Sequence, residues 1–174
     1  MNNYRPVIKL QQPKWQKSLN VFSYTLFIIA SIVSMISLFF LPAEVPIHFN
    51  LAGEVDNYGS KFFLLLLPII TIVTILPLDV VERKPHLHNY MATLTEENVK
   101  DYYALSITTV NLLKNGVLVI FALLQFEILL QAFAYKFVFG AFFIVLVSIV
   151  VIAPIVWNII ASKKIAKKYK EESA

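Results

Sequence analysis

Four apolar stretches constrain this chain more than any other feature of it. They cover residues 21–41, 62–81, 116–135 and 137–161. The first and last carry no charge, the second takes in Asp79 near its end, and the third contains Glu127. A helix needs about 20 predominantly apolar residues to cross ~30 Å of hydrocarbon. Lipid offers no partner to backbone N–H and C=O groups, so such segments cross as helices. The expected fold is an all-α integral membrane protein with four transmembrane helices. Pro68 and Pro77 predict a kink or an early end in the second stretch, because proline removes a backbone donor. Composition agrees: 58% of the 174 residues are hydrophobic and 15% are charged, against roughly 25% charged in a typical soluble domain. A soluble core of this size would have too little polar surface to face water.

Lys and Arg set the expected orientation. Four fall in residues 1–20 (Arg5, Lys9, Lys14, Lys17), four between the second and third stretches (Arg83, Lys84, Lys100, Lys114), and five in the tail 162–174. The other side has Lys61 and Lys136. Cytoplasmic flanks carry the excess of basic residues. The reading is therefore a multi-pass protein of the cell membrane with both termini cytoplasmic. It has a cytoplasmic segment 1–20, a membrane domain 21–161 and a basic tail 162–174. The net charge of +4 then reflects topology and contact with the lipid bilayer. Scattered juxtamembrane basic residues are no nucleic-acid footprint. The first stretch follows a polar leader and precedes no small-x-small cleavage pattern, so it is expected to remain as a span.

The connection 79–115 is the longest polar piece. Thr93-Leu94-Thr95-Glu96 reads as a capping box that opens a helix. Val99, Tyr103, Val110, Leu113 and Val117 recur at helical steps and form one apolar face. That face either lies against the membrane on its way into the third span or docks a cytoplasmic partner.

The densest polar cluster is the loop of residues 41–61, expected on the outer side. Pro42 and Pro46 stiffen it and disfavour helix before them. Asn50, Gly53, Asn57 and Gly59 supply turn chemistry. Glu44, Glu54 and Asp56 are acidic, His48 can donate, accept or bind a metal, and Ser60-Lys61 precedes the second span. A loop this rich in turn residues is expected to be ordered. His48, Asn50, Asp56 and Lys61 are expected to form one polar network that seals the ends of spans one and two, because unpaired polar groups near lipid cost several kcal/mol.

The pattern Leu41-Pro42, Val45-Pro46-Ile47-His48-Phe49-Asn50, Gly53-Glu54-Val55-Asp56 and Gly59-Ser60-Lys61 resembles the signature loop of a bacterial membrane domain of unknown function. That domain is best known from the N-terminal half of SdpI-type bacteriocin-immunity proteins. The loop follows a first span and precedes a second, as in that family. SdpI-type proteins carry a further membrane region, part or all of which is expected to be missing here. The resemblance implies protection against a secreted peptide toxin and, in the SdpI case, sequestration of a repressor at the membrane.

Other features leave alternatives open. His48 with Glu54 and Asp56 has the chemistry of a metal site, but such a histidine more often holds a turn. His86 and His88 are two ligands and not a full set. No metal and no cofactor is expected. A carboxylate deep in lipid is costly, so Gln125 and Glu127 mark a candidate intramembrane polar site, either a pocket beneath the loop or an interhelical contact. Asn158 is expected to satisfy polar groups near the end of span four. The motifs GxSxG, HExxH and a phosphate-cradling glycine loop are absent, and no enzyme is expected. The leading reading is a non-enzymatic membrane protein of the toxin-immunity kind. The alternatives are a signalling or regulatory subunit that binds a cytoplasmic or membrane partner, and a metal-dependent membrane enzyme or transporter.

Overall fold

The computed structural model describes residues 4–50, 52, 54–133 and 140–172. Gly53 and residues 134–139, where the third and fourth expected spans meet, lie outside the described residues. Four helices dominate: α1 (Lys14–Ser37), α2 (Leu66–Glu82), α3 (Val99–Ala132) and α4 (Gly140–Glu172). Between α1 and α2 lie strands β1 (Glu44–Phe49) and β2 (Val55–Ser60) and a 3-10 turn, Lys61–Leu65, that leads into α2. All four helical segments are long and apolar enough to cross a membrane. The two-stranded hairpin is the one departure from an all-α fold among the described residues, and the sequence reading had assigned it no strands.

Helix ends differ from the expected spans for local reasons. α1 begins at Lys14 because Pro13 sits at its N-cap. It ends at Ser37, where the chain tightens and the Phe40 and Leu41 amides both bond the Ser37 carbonyl. α2 does not end at Pro77 but continues to Glu82. The α3 cap lies two residues beyond the expected box. Thr95 N donates to Asn98 Oδ1 at 2.9 Å, Asn98 N donates to Thr95 Oγ1 at 3.4 Å, and Asn98 is the N-cap. An Asn completes the reciprocal pair in place of a Glu.

α3 is the hub, since α1, α2 and α4 all pack on it. The pattern is inverted relative to a soluble bundle. Val21, Phe22, Ile28, Ile29, Ile32 and Ile36 of α1 are exposed, while Gln16, Ser23, Ser31, Ser34 and Ser37 are buried with Phe27 and Ala30. Positions 16, 23, 27, 30, 34 and 37 alternate steps of three and four after a first step of seven, which makes a seam of mostly small residues. Small residues let helix backbones approach closely where lipid supplies no hydrophobic drive between helices. At the α3–α4 contact Gly116 does the same work: a Cβ there would lie 2.1 Å from Val150 Cγ1.

The start of the apolar face, Val99 and Tyr103, is covered within the chain, while Val110, Leu113 and Val117 are half-buried. Val99, Tyr102, Tyr103 and Leu94 form a buried cluster against Ile8, Leu10, Tyr90, Ala92 and Ile165. The N-terminal segment is tied there by Tyr4 N to the Leu94 carbonyl at 3.0 Å and Tyr103 Oη to the Pro6 carbonyl at 3.2 Å. α3 is continuous, so this face and the third span belong to one helix about 51 Å long at 1.5 Å per residue.

Candidate functional site

The hairpin forms because residues 44–49 and 55–60 are extended and a turn at Asn50 joins them. Asn50 Oδ1 accepts from the amides of Ala52 at 2.9 Å and Glu54 at 3.0 Å. This Asx turn replaces backbone partners with a side-chain oxygen. The register pairs Glu44 with Ser60, Val45 with Gly59, Pro46 with Tyr58, His48 with Asn57 and Phe49 with Val55. Ile47 and Asp56 are thus extra residues on their strands, and such bulges re-aim neighbouring side chains. Pro46 is tolerated because each strand of a two-stranded sheet is an edge. Asn57 and Gly59 are strand residues here, not turn residues. Gly59 matters for close approach, since a Cβ there would lie 2.6 Å from Ile47 Cδ1.

The expected single network of His48, Asn50, Asp56 and Lys61 is instead three separate devices. His48 Nδ1 and Asp56 Oδ1 lie 2.6 Å apart, with the side chains 67% and 42% exposed. Asn50 Nδ2 donates to Glu54 Oε2 at 3.0 Å, so Glu54 faces Asn50 and not His48. Lys61 Nζ turns away from Asp56 and donates to the carbonyls of Leu38 at 2.7 Å and Leu41 at 3.1 Å. The bulges part the groups by directing His48 and Asp56 outward, while Lys61 lies beyond β2 against the end of α1. Lys61 thereby satisfies carbonyls that a helix end leaves open. Ser60 Oγ accepts from the Phe62 amide at 3.4 Å and opens the 3-10 turn. Beneath the strands, Leu41, Val45, Leu64 and Leu129 form a small core. Pro42 belongs to the link from α1 into β1.

Gln125 and Glu127 do not share a site. Two residues along a helix turn the side chain by about 200°. Gln125 faces α1, where Ser34 Oγ donates to its Oε1 at 3.3 Å. Glu127 is 5% exposed and lines a cavity of about 360 Å³ beneath the hairpin. Ile47, Phe49, Leu67, Leu124 and Phe143 supply apolar wall, and His48 and Asn50 contribute from the hairpin.

A second polar site, which sequence reasoning missed, lies at the opposite end of the bundle. Lys114 Nζ sits 2.9 Å from Asp79 Oδ1 and 2.7 Å from Glu82 Oε2. Lys114 and Glu82 are each 3% exposed, and Asp79 is 27% exposed. Tyr24 Oη donates to Asp79 Oδ2. Glu82 Oε1 accepts from Gln12 Nε2 and from Asn111 Nδ2, the latter at 2.8 Å. Asn20 Oδ1 accepts from Asn111 Nδ2 at 2.8 Å and Asn115 Nδ2 at 2.7 Å. The site thus joins α1, α2, α3 and the N-terminal segment. Its signal was present in the sequence: Asp79 and Glu82 three apart, and Asn111, Lys114 and Asn115 three and four apart, each set on one helix face. By sequence alone Lys114 reads only as a topological charge.

Nearby groups are structural. His88 Nε2 donates to the Val81 carbonyl at 2.7 Å, and Nδ1 pairs with the Ser106 hydroxyl. Both nitrogens are used, and the His86 carbonyl faces Arg5. Tyr90 Oη donates to the Pro85 carbonyl at 2.8 Å, and burial pushes this hydroxyl up to about 12. Asn158 Nδ2 reaches Thr109 Oγ1 at 2.7 Å and ties α4 to α3. Among the described residues no three His, Asp or Glu side chains gather in a group suited to a metal ion.

Residues 25–72 match the family model described as a domain of unknown function, DUF1648. The match begins within α1, takes in the whole hairpin and ends within α2. No curated protein and no solved structure matches the chain. The chain is a membrane protein by its helices, with a region similar to this family around the hairpin.

Proposed function

We propose that this protein is a non-enzymatic immunity factor of the cell membrane that protects it by binding an amphipathic peptide toxin at the hairpin end. One observation carries the reading: an apolar cavity beneath the ordered hairpin, with a buried carboxylate, Glu127, on its wall. Such a pocket suits an apolar side chain next to a cationic one, which is the make-up of membrane-active peptides. The resemblance of the loop to SdpI-type proteins supports the same class, and the match over residues 25–72, to a domain of unknown function, falls on that loop. In this proposal both termini are cytoplasmic and the hairpin faces outward, in line with the distribution of Lys and Arg.

Deletion of the gene sensitises cells to at least one secreted membrane-active peptide, and the intact gene restores resistance. Leu124→Trp, which fills the cavity, abolishes the rescue at unchanged membrane abundance. Unchanged sensitivity of the deletion strain across a panel of such peptides overturns the reading. The chain has no cysteine, so a cysteine introduced at Asn57 reports orientation cleanly. It reacts with an impermeant thiol reagent on intact cells if the hairpin faces outward, and reaction only after lysis overturns the orientation.

A further inference from the structure

The site around Lys114 borders a cavity of about 600 Å³ lined by the N-terminal segment and by α1, α2 and α3. We propose that this cavity binds the headgroup of a zwitterionic aminophospholipid, one with a primary ammonium and a phosphate.

Position is the first argument. The segment Lys61–Glu82 has 22 residues and, as a 3-10 turn followed by α-helix, spans roughly 35 Å. That is little more than the ~30 Å hydrocarbon thickness. Its two ends therefore sit at the two boundaries, and Asp79 and Glu82 lie at headgroup level.

Charge is the second argument. The floor holds two carboxylates and one ammonium, an excess of one negative charge. Glu82 and Lys114 are sealed in, so that excess reaches the cavity at Asp79, the more exposed of the three. Lys9 and Arg83 also line the cavity and are exposed, which gives a positive rim. Ile8, Leu10 and Ile107 supply apolar wall. A negative floor below a positive rim matches a ligand that carries an ammonium and a phosphate together. A choline headgroup offers no N–H to Asp79, and an anionic glycerol headgroup engages only the rim.

The test uses the full chain in detergent. It is incubated separately with phosphatidylethanolamine, phosphatidylcholine, phosphatidylglycerol and soluble phosphoethanolamine. Retained ligand is read by native mass spectrometry and thermal stability by a melt. One phosphatidylethanolamine is retained per chain, about tenfold over the other two lipids, as one charge-assisted hydrogen bond of ~1.5 kcal/mol provides. Asp79→Asn abolishes the preference over phosphatidylcholine. The double change Lys9→Gln, Arg83→Gln lies on the exposed rim, spares the fold and lowers retention of phosphatidylethanolamine. Equal retention of the three lipids overturns the proposal. Preference for phosphatidylglycerol overturns it in favour of a plain anion site, and competition by soluble phosphoethanolamine at equal concentration overturns it in favour of a free metabolite. Loss of preference in Asp79→Asn counts as support only if its melt stays cooperative. If that variant does not fold, unchanged retention in the rim variant sinks the idea.

Discussion

The two ends of the helical bundle each hold ionisable side chains close enough to pair, but in opposite surroundings. At the hairpin end His48 and Asp56 meet on the surface, 67% and 42% exposed. At the other end Lys114 meets Asp79 and Glu82 with Lys114 and Glu82 each 3% exposed. Water screens the first pair and competes for its hydrogen bonds, so the geometry fixes little. In the second group Lys114 and Glu82 are shielded from water, so their charges must be matched. A polar cluster that is conspicuous in sequence is therefore no guide to where electrostatics hold a structure. The hairpin is instead held by Lys61, whose ammonium bonds two carbonyls at the end of α1, and by the small core around Val45.

The largest effect expected from this contrast is at Lys114. Lys114→Met leaves the sealed Glu82 carboxylate without its ammonium, and should cost about 3–5 kcal/mol, the range for a broken buried pair. A thermal melt in detergent reads it. The triple change Lys114→Met, Asp79→Asn, Glu82→Gln removes the charge mismatch and should recover most of the loss. No recovery would mean that shape, rather than charge, holds this end together.

Next is Lys61→Met, which strips a donor from two carbonyls and should cost about 1–3 kcal/mol. Hydrogen exchange should rise first in residues 44–49, while the Lys114 end stays protected. Equal loss of protection at both ends would dissolve the distinction between them.

His48→Ala and Asp56→Ala should each cost less than about 1 kcal/mol, as for exposed pairs. If either variant loses protection against a peptide at an unchanged melting temperature, the pair acts on the ligand and not on the fold. A drop in stability as large as that for Lys61→Met would restore the single-network view.

The smallest effect concerns pH. The Tyr90 hydroxyl titrates near 12 in the folded chain, above its unfolded value of about 10. Folding thus favours the protonated form. The contribution is complete below about pH 10 and is lost as pH climbs toward 12. Tyr90→Phe lacks it, so the gap between wild type and variant should be constant from pH 7 to 9 and then narrow. A gap that stays constant through pH 12 would show that the hydroxyl does not titrate with folding.

Much of this was legible in the residues. Four apolar stretches without enough charge to live in water specify four helices, and the density of Pro, Asn and Gly between the first two specifies an ordered connection. The Asx turn at Asn50 is local, and so is the start of α3, although the capping pair proved to be Thr95 and Asn98. The match over residues 25–72 falls on the same loop.

What the residues left open depended on which groups meet across large separations in the chain. Asp79 and Lys114 belong to different helices, and only the packing of α2 on α3 brings them to 2.9 Å. Gln125 and Glu127 look like one site in sequence, but helical rotation sends one toward α1 and the other beneath the hairpin. Asp56 and Lys61 look like partners, but Asp56 meets His48 and Lys61 turns to the end of α1. The sequence by itself determined the membrane, the helices and the ordered loop, because hydropathy and turn chemistry act over a few neighbouring residues. Only the tertiary structure decided which charges are buried, because burial depends on which helix faces touch, and pattern within a single helix does not encode its partner.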